Sequence, residues 1–337
     1  MLLGERSKKL KVNIYSSPLY SYNGLAFVMA VFLYVSLYTE HISFPMEIPL
    51  KHDDDFTKVI PTAWMVAFRR TFTDIPYSQA VFEKLEALRK AKGLPDIAAD
   101  LKKPELAPQF EARHKLIDKL LLAQPARQVL EIAAGFSSRG MVMATEKELR
   151  YVEFDLPEVI VGKQEIVNDI FSDEGKITPA ELFFEAGNAL SFEDLERAVA
   201  QLDPKRPLTI INEGLLRYLT FAEKAMVARN VKQLLERFGG AWITSDISLR
   251  KIFNMENALM KDHVKKISEL TGKDIAKNRF ETEDEAREFF ESFGFTIERH
   301  SFMEVLNELV SPQRLSLPAS EVNYMLEDAV VYVMTLV

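Results

Sequence analysis

The run Val129 to Gly140, VLEIAAGFSSRG, joins an apolar strand to a helix start through a turn of small residues, with Ser137 and Ser138 available as helix caps. Small residues there let a backbone approach a ligand that a side chain would block. The glycine pattern of dinucleotide-binding turns is not met, because Ala133 takes the first glycine position and Ser138 the last. A plain strand-to-helix turn explains the segment equally well. Asp155 lies 20 residues beyond Gly135, at the end of YVEFD, and a carboxylate at that distance can accept hydrogen bonds from both ribose hydroxyls of an adenosine cofactor. In FFEAGNAL, Asn188 can accept from an adenine amino group while Ala189 and Leu190 form an apolar wall. In IINEGLLRYLT, Glu213 emerges with Tyr218 a little over one turn later. Four successive segments each deliver a small or polar residue at their carboxyl ends, and that coincidence outweighs any single motif.

Such positions need a sheet to align them. Apolar runs predict strands at Gln128 to Ile132, Arg150 to Phe154, Leu182 to Glu185, Leu208 to Asn212, Ala241 to Asp246, Phe295 to Ser301 and Ala329 to Leu336. Helical spacing falls between them, at Ser138 to Glu146, Pro157 to Asn168, Phe192 to Gln201, Phe221 to Phe238 and Thr282 to Phe293. This alternation predicts an α/β fold with a mostly parallel sheet covered on both faces. Upstream, Thr62 to Lys90 reads as two helices interrupted at Pro76. Gly93, Pro95, Pro104 and Pro108 mark a connection, and Gln109 to Ala123 is a further helix. Two stretches exceed the needs of a bare sheet-and-helix unit, Leu249 to Asn278, read as helical, and Phe302 to Asp328. Insertions of that kind are where a substrate pocket is expected.

At 337 residues the chain has room for two small domains or one large α/β domain with additions. Its 42 Lys and Arg against 50 Asp and Glu, a net charge of −8, argue against a nucleic-acid partner. Hydrophobic residues at 47% and charged residues at 27% are those of a folded globular chain. The absence of cysteine excludes disulfides, thiolate metal sites and thiol nucleophiles, and fits a cytoplasmic location. His41, His52, His114, His263 and His300 show no metal-ligand or triad spacing, so no metal site is expected. The N-terminus differs: no charge occurs between Lys11 and Glu40, and Leu25 to Tyr38 is almost wholly apolar behind Arg6, Lys8, Lys9 and Lys11. Residues 1–45 therefore read as an extension, either a membrane anchor through residues 12–39 or an over-extended start ahead of Met46. The dense part is shorter than the roughly 20 residues a bilayer needs, which weighs against the anchor.

The motifs LEIAAGFSSRG, YVEFDLPEVIVGK and INEGLLRYLT, preceded by TAWMVAFRRTF and by Arg113 in FEARHKLID, resemble the leucine carboxyl methyltransferase-like branch of the class I S-adenosylmethionine-dependent methyltransferases. That branch includes bacterial O-methyltransferases of polyketide-type metabolism. The resemblance runs from about Thr62 to the C-terminus. It implies a Rossmann-like fold of seven strands with the last antiparallel, for which GFTIERHS and DAVVYVMTLV supply the partners. Residues 46–108 would form an N-terminal helical cap and residues 109–337 the cofactor-binding domain. The resemblance further implies that Arg113 binds the methionyl carboxylate, Ala133 and Gly135 shape the cofactor turn, Asp155 holds the ribose, and Asn188 with Ala189 faces the adenine. Glu213 would sit by the methionyl end. Arg139 matches the family arginine and is equally explained as a solvated first-turn arginine; the alternatives for Arg113 and Glu213 are a surface helix arginine in a salt bridge and a strand-end carboxylate capping the following turn. Two departures from the family pattern stand out, Ser137 in place of an aspartate and Asn188 in place of an acidic residue.

The activity so implied is methyl transfer from S-adenosylmethionine to an oxygen, carboxylate or hydroxyl, of a small molecule or a carboxyl terminus. A carboxylate needs no base, whereas a hydroxyl does. Tyr218 is the candidate to orient the acceptor oxygen, with a core tyrosine as the alternative. Trp64, Phe68, Phe72 and Tyr77 form either a lid over the cofactor or a core stripe. Two other readings are a nicotinamide-dependent oxidoreductase and a non-catalytic protein of the same fold.

Overall fold

The computed structural model describes residues 54–94, 96, 102–247, 249–250, 265, 268 and 277–337. Contacts divide the chain into residues 1–51 and 52–337, and the described residues all belong to the second unit. Leu25 to Tyr38, Met46, His41, His52, His263 and most of 249–278 lie outside the described residues. Among the described residues no helix is long and apolar enough to cross a membrane.

Strands β1 (Gln128–Ile132), β2 (Arg150–Asp155), β3 (Leu182–Ala186), β4 (Leu208–Asn212), β5 (Gly240–Thr244), β6 (Phe295–Ser301) and β7 (Val330–Leu336) form one sheet in the order β3-β2-β1-β4-β5-β7-β6. The first five pair in parallel, with Gln128 opposite both Arg150 and Leu208. Strand β7 runs antiparallel to β5 and to β6. Every residue of β1 and of β4 is buried, as a parallel strand covered on both faces requires. Side chains alternate between two cores. Val129, Tyr151, Ile211 and Ile243 enter one, and Leu130, Val152, Ile210 and Trp242 the other.

The first core is covered by α1 (Asp54–Arg70), α2 (Ser78–Ala91), α3 (Ala107–Ala123), α4 (Arg139–Glu146), α5 (Pro157–Asp173) and the segment after β6. The second is covered by α6 (Phe192–Ala198), α7 (Phe221–Phe238) and α8 (Glu283–Glu291). Thr220 begins α7 with a capping box, its side chain accepting from the Glu223 N–H while Glu223 accepts from the Thr220 N–H. One proline read as marking a connection, Pro108, does not. Pro108 lies in the first turn of α3, where its missing N–H needs no partner, and α1 begins at Asp54 and passes through Pro61. Strand β5 ends at Thr244, two residues before the expected Asp246, because the chain turns at Ser245.

Between α1 and α2, Trp64 stacks on Phe68 and meets Phe82 edge to face, with ring centroids 5.2 Å apart in each pair. The stretch 302–328 folds as a 3₁₀ segment, Phe302–Glu308, followed by α9 (Ser311–Arg314) and α10 (Ala319–Leu326), all packed against α3. It lines no part of the cavity described below, which corrects the expectation that it builds the substrate pocket. Successive strands run outward from β1 through β2 to β3, and the chain then returns to place β4 on the other side of β1. The loops leaving β1 and β4 diverge, and a crevice opens at their carboxyl ends.

Candidate functional site

A cavity of about 440 Å³ fills that crevice, within the range of about 300–1,000 Å³ typical of small-molecule sites. Arg113, Ala133, Gly135, Asp155, Asn188, Ala189, Glu213 and Tyr218 all line it. Helix α1 adds Thr62, Met65, Val66, Arg69 and Arg70. Trp64, Phe68, Phe72 and Tyr77 are not among the lining residues, so the aromatic stripe belongs to the helix packing and a different face of α1 meets the cavity.

The turn after β1 is held from both sides. Asp155 accepts from the Gly135 N–H through Oδ2 and from the Leu156 N–H through Oδ1, each at 2.7 Å. Burial pushes the Asp155 carboxyl up, and these two N–H groups oppose that shift. Each carboxylate oxygen keeps a lone pair for a ligand hydroxyl. Behind the turn, Lys163 from α5 donates to the carbonyls of Ser137 (2.5 Å) and Gly135 (3.2 Å), and it pairs with Glu153 Oε2 at 3.0 Å. Gly135 has φ +51°, and a Cβ built there meets no atom within 4 Å, so its bare backbone faces open space. Ala133 also adopts a left-handed conformation, φ +58°, which costs an alanine roughly 1 kcal/mol. Asn188 is exposed, and its Oδ1 already accepts from the Leu190 N–H at 3.0 Å. One lone pair and the amide donors are left for a ligand.

The other end of the cavity is built from charge. Glu213 Oε1 accepts from Arg70 and Arg113, both at 2.7 Å, and Oε2 accepts from Arg139 at 2.9 Å. Arg113, Arg70 and Arg139 together hold the Glu213 carboxyl well below the usual range against the effect of burial. Arg139 is fully buried and also donates to Asp118 (2.6 Å), to Glu131 and to His114 Nδ1 (3.1 Å). The reading of Arg139 as a solvated first-turn arginine is therefore wrong, and so is that of Arg113 as a surface residue, at 8% exposure. A guanidinium can only donate, so His114 Nδ1 is the acceptor and its Nε2 carries the proton facing Asp118 at 3.3 Å. Burial holds this imidazole neutral. The guanidiniums of Arg69 and Arg113 each lie over the Phe110 ring, 4.8 Å from its centroid.

Two buried donors on these side chains, Nε of Arg70 and Nε of Arg113, have no hydrogen-bond partner. They are spare capacity beside the cavity for a ligand carboxylate. With the paired lone pairs of Asp155 and the bare turn at Gly135, they fit both ends of a cofactor made of a nucleoside and an amino acid. Arg70, Lys163 and Glu131 are the members of this site that residue spacing did not single out. The legible signal was a charge inside an apolar strand, Glu131 in VLEI and Glu153 in YVEF, since each needs a buried cationic partner from elsewhere.

The strand order, the reversed seventh strand and a nucleoside-sized crevice at the β1/β4 switch point define a class I methyltransferase. The family described as leucine carboxyl methyltransferase matches residues 53–232, just over half of the chain, and the protein belongs to that family. It is a methyltransferase whose cofactor is S-adenosylmethionine, and the nicotinamide-dependent and non-catalytic readings fall. No curated protein matches the sequence. Among solved structures, the chain is similar to an O-methyltransferase family protein from Burkholderia thailandensis, with 12% identity, 76% of this chain and 71% of that chain covered and a TM-score of 0.44. It is also similar to geranyl diphosphate C-methyltransferase from Streptomyces coelicolor, with 12% identity, coverages of 74% and 89% and a TM-score of 0.42. Magnesium protoporphyrin IX methyltransferase from Synechocystis gives 12% identity, coverages of 76% and 95% and a TM-score of 0.41.

Proposed function

We propose that the protein transfers the methyl group to an oxygen that arrives already ionised, a carboxylate of a small molecule or of a chain terminus. The observation that carries this is the convergence of guanidiniums at one end of the cavity. Arg70, Arg113 and Arg139 converge on the single carboxylate of Glu213, the Nε groups of Arg70 and Arg113 have no hydrogen-bond partner, and Arg69 lies beside Arg113. Burial first, and then the proximity of Arg113, hold the Arg69 pKa down to about 10. An anionic acceptor relieves that crowding, and a neutral one does not.

Three of the lining residues that could take a proton are poorly suited to do so. Glu213 binds a proton too weakly, Glu131 is held between Arg139 and the Tyr151 hydroxyl, and burial raises the Tyr218 phenol so that it stays protonated. Among the described residues no histidine lines the cavity. Bound S-adenosylmethionine supplies an activated methyl on its sulfonium, so the chain needs to bind, align and exclude water. In this reading Asp155 holds the ribose, Asn188 and Ala189 border the adenine, and Arg113 with Arg70 receives the methionyl carboxylate. The Tyr218 hydroxyl points the acceptor oxygen. Glu213 keeps the arginines in place; the expectation that it balances the cofactor's ammonium and sulfonium is set aside, because three guanidiniums already use its charge.

Incubating the protein with S-adenosylmethionine labelled in the methyl group and an extract of small acids tests this. Carboxyl methylation leaves label that mild alkali releases as methanol. Label that survives alkali, as in an ether or an N-methyl product, refutes the carboxylate reading.

A further inference from the structure

Asp246 lies two residues beyond the end of β5, is fully buried and lines no part of the cavity. Its carboxylate nevertheless collects five donors. They are Asn212 Nδ2 (2.7 Å), the N–H groups of Gly214 (2.9 Å), Leu215 (2.6 Å) and Leu216 (3.2 Å), and Arg217 Nη2 (3.2 Å). A carboxylate has about four lone-pair sites, so this one is saturated. The donors come from one short run, residues 212–217, which carries Glu213 into the arginine cluster and leads straight to Tyr218. Three successive N–H groups converge on one anion only when the backbone curls around it, and Gly214 supplies the bend at φ +85°. Asn212 is fixed from its other side by the Trp242 indole N–H at 2.7 Å.

We propose that Asp246 is a positioning residue for methyl transfer, setting the loop after β4 so that Glu213 and Tyr218 face the cofactor and the acceptor. It touches neither ligand and acts through five donors of the neighbouring loop. An ordinary structural carboxylate would affect stability alone.

Asp246→Asn keeps the volume and one carbonyl oxygen but turns a donor toward the N–H groups. Titration calorimetry with S-adenosylhomocysteine on the folded full chain reads the effect. Affinity is expected to fall by about tenfold or more, the worth of one hydrogen bond to a charged group, with an unchanged far-ultraviolet spectrum. Val305→Ala, in the core under the 3₁₀ segment, is the control: it lowers the melting temperature and leaves affinity as in the wild type. Asn212→Ala removes one of the five donors to Asp246, together with the acceptor of the Trp242 indole, and serves if Asp246→Asn does not fold, with an expected loss of about threefold. Wild-type affinity in whichever variant folds overturns the proposal. A wild-type protein that does not bind S-adenosylhomocysteine overturns instead the placement of the cofactor on which the proposal rests.

Discussion

Replacing Arg139 with methionine removes, at similar volume, the cation that Asp118, Glu131 and Glu213 share. Glu213 keeps Arg70 and Arg113, and Asp118 keeps His114, but Glu131 keeps only the Tyr151 hydroxyl and is 1% exposed. Breaking a buried pair from one side costs about 3–5 kcal/mol, a large share of the roughly 5–15 kcal/mol that holds a typical domain folded. Urea unfolding at pH 7.5 measures the loss. The double variant Arg139→Met/Glu131→Leu removes both partners, so it should recover at least about 2 kcal/mol of the single variant's deficit. A stranded interior carboxylate takes up a proton more readily than it would in the unfolded chain, so the folded state binds more protons as pH falls. The single variant's deficit should therefore narrow between pH 7.5 and 5.5. A loss below about 1 kcal/mol, the scale of an exposed pair, or a double variant no more stable than the single, refutes the picture of a shared buried cation.

Asp155→Ala should weaken S-adenosylhomocysteine binding by about 100-fold or more, since two hydrogen bonds to a charged acceptor are lost; calorimetry within a factor of a few of wild type contradicts the ribose assignment. Tyr218→Phe should lower the turnover number by about tenfold and leave cofactor affinity unchanged, because the lost hydroxyl acts only on the acceptor. Burial pushes the Glu153 carboxyl up to about 7 from its ordinary 4.5. Its stabilisation is therefore full below the unfolded value and lost as pH rises through about 7, a decline of about 3 kcal/mol at most. Glu153→Gln should flatten that part of the wild-type profile between pH 5 and 8, and parallel profiles for the two proteins would contradict the assignment.

Much of this fold is written locally. The strand runs VLEI, LTII and VVYVM are apolar on both faces because the sheet is sandwiched. All seven strands fall within two residues of where apolar periodicity places them. Helix α7 is legible at both ends, from the Thr220 capping box to Gly239. The side of the cavity at the ends of β1 to β4 was equally legible, since the residues at or just past the ends of those four strands border the crevice that the strand order opens. Ala133, Asp155, Asn188 and Glu213 needed only the strand boundaries to be found.

What the linear pattern withheld is everything that depends on which distant groups share the interior. Arg139 reads equally well as a solvated residue, and Arg113 has a surface ion pair as its alternative, until α4 and α3 bring them onto Glu213, 74 and 100 residues away. Arg70 reaches the same carboxylate across 143 residues. The stretch 302–328 had the length of a substrate insertion, but its apolar residues Phe302, Val305 and Val322 meet the core on the α3 side. Length and composition cannot say which face an insertion covers. A charge buried or exposed has the same local signature, because its cost is set by solvent access and by partners that only the packed chain supplies.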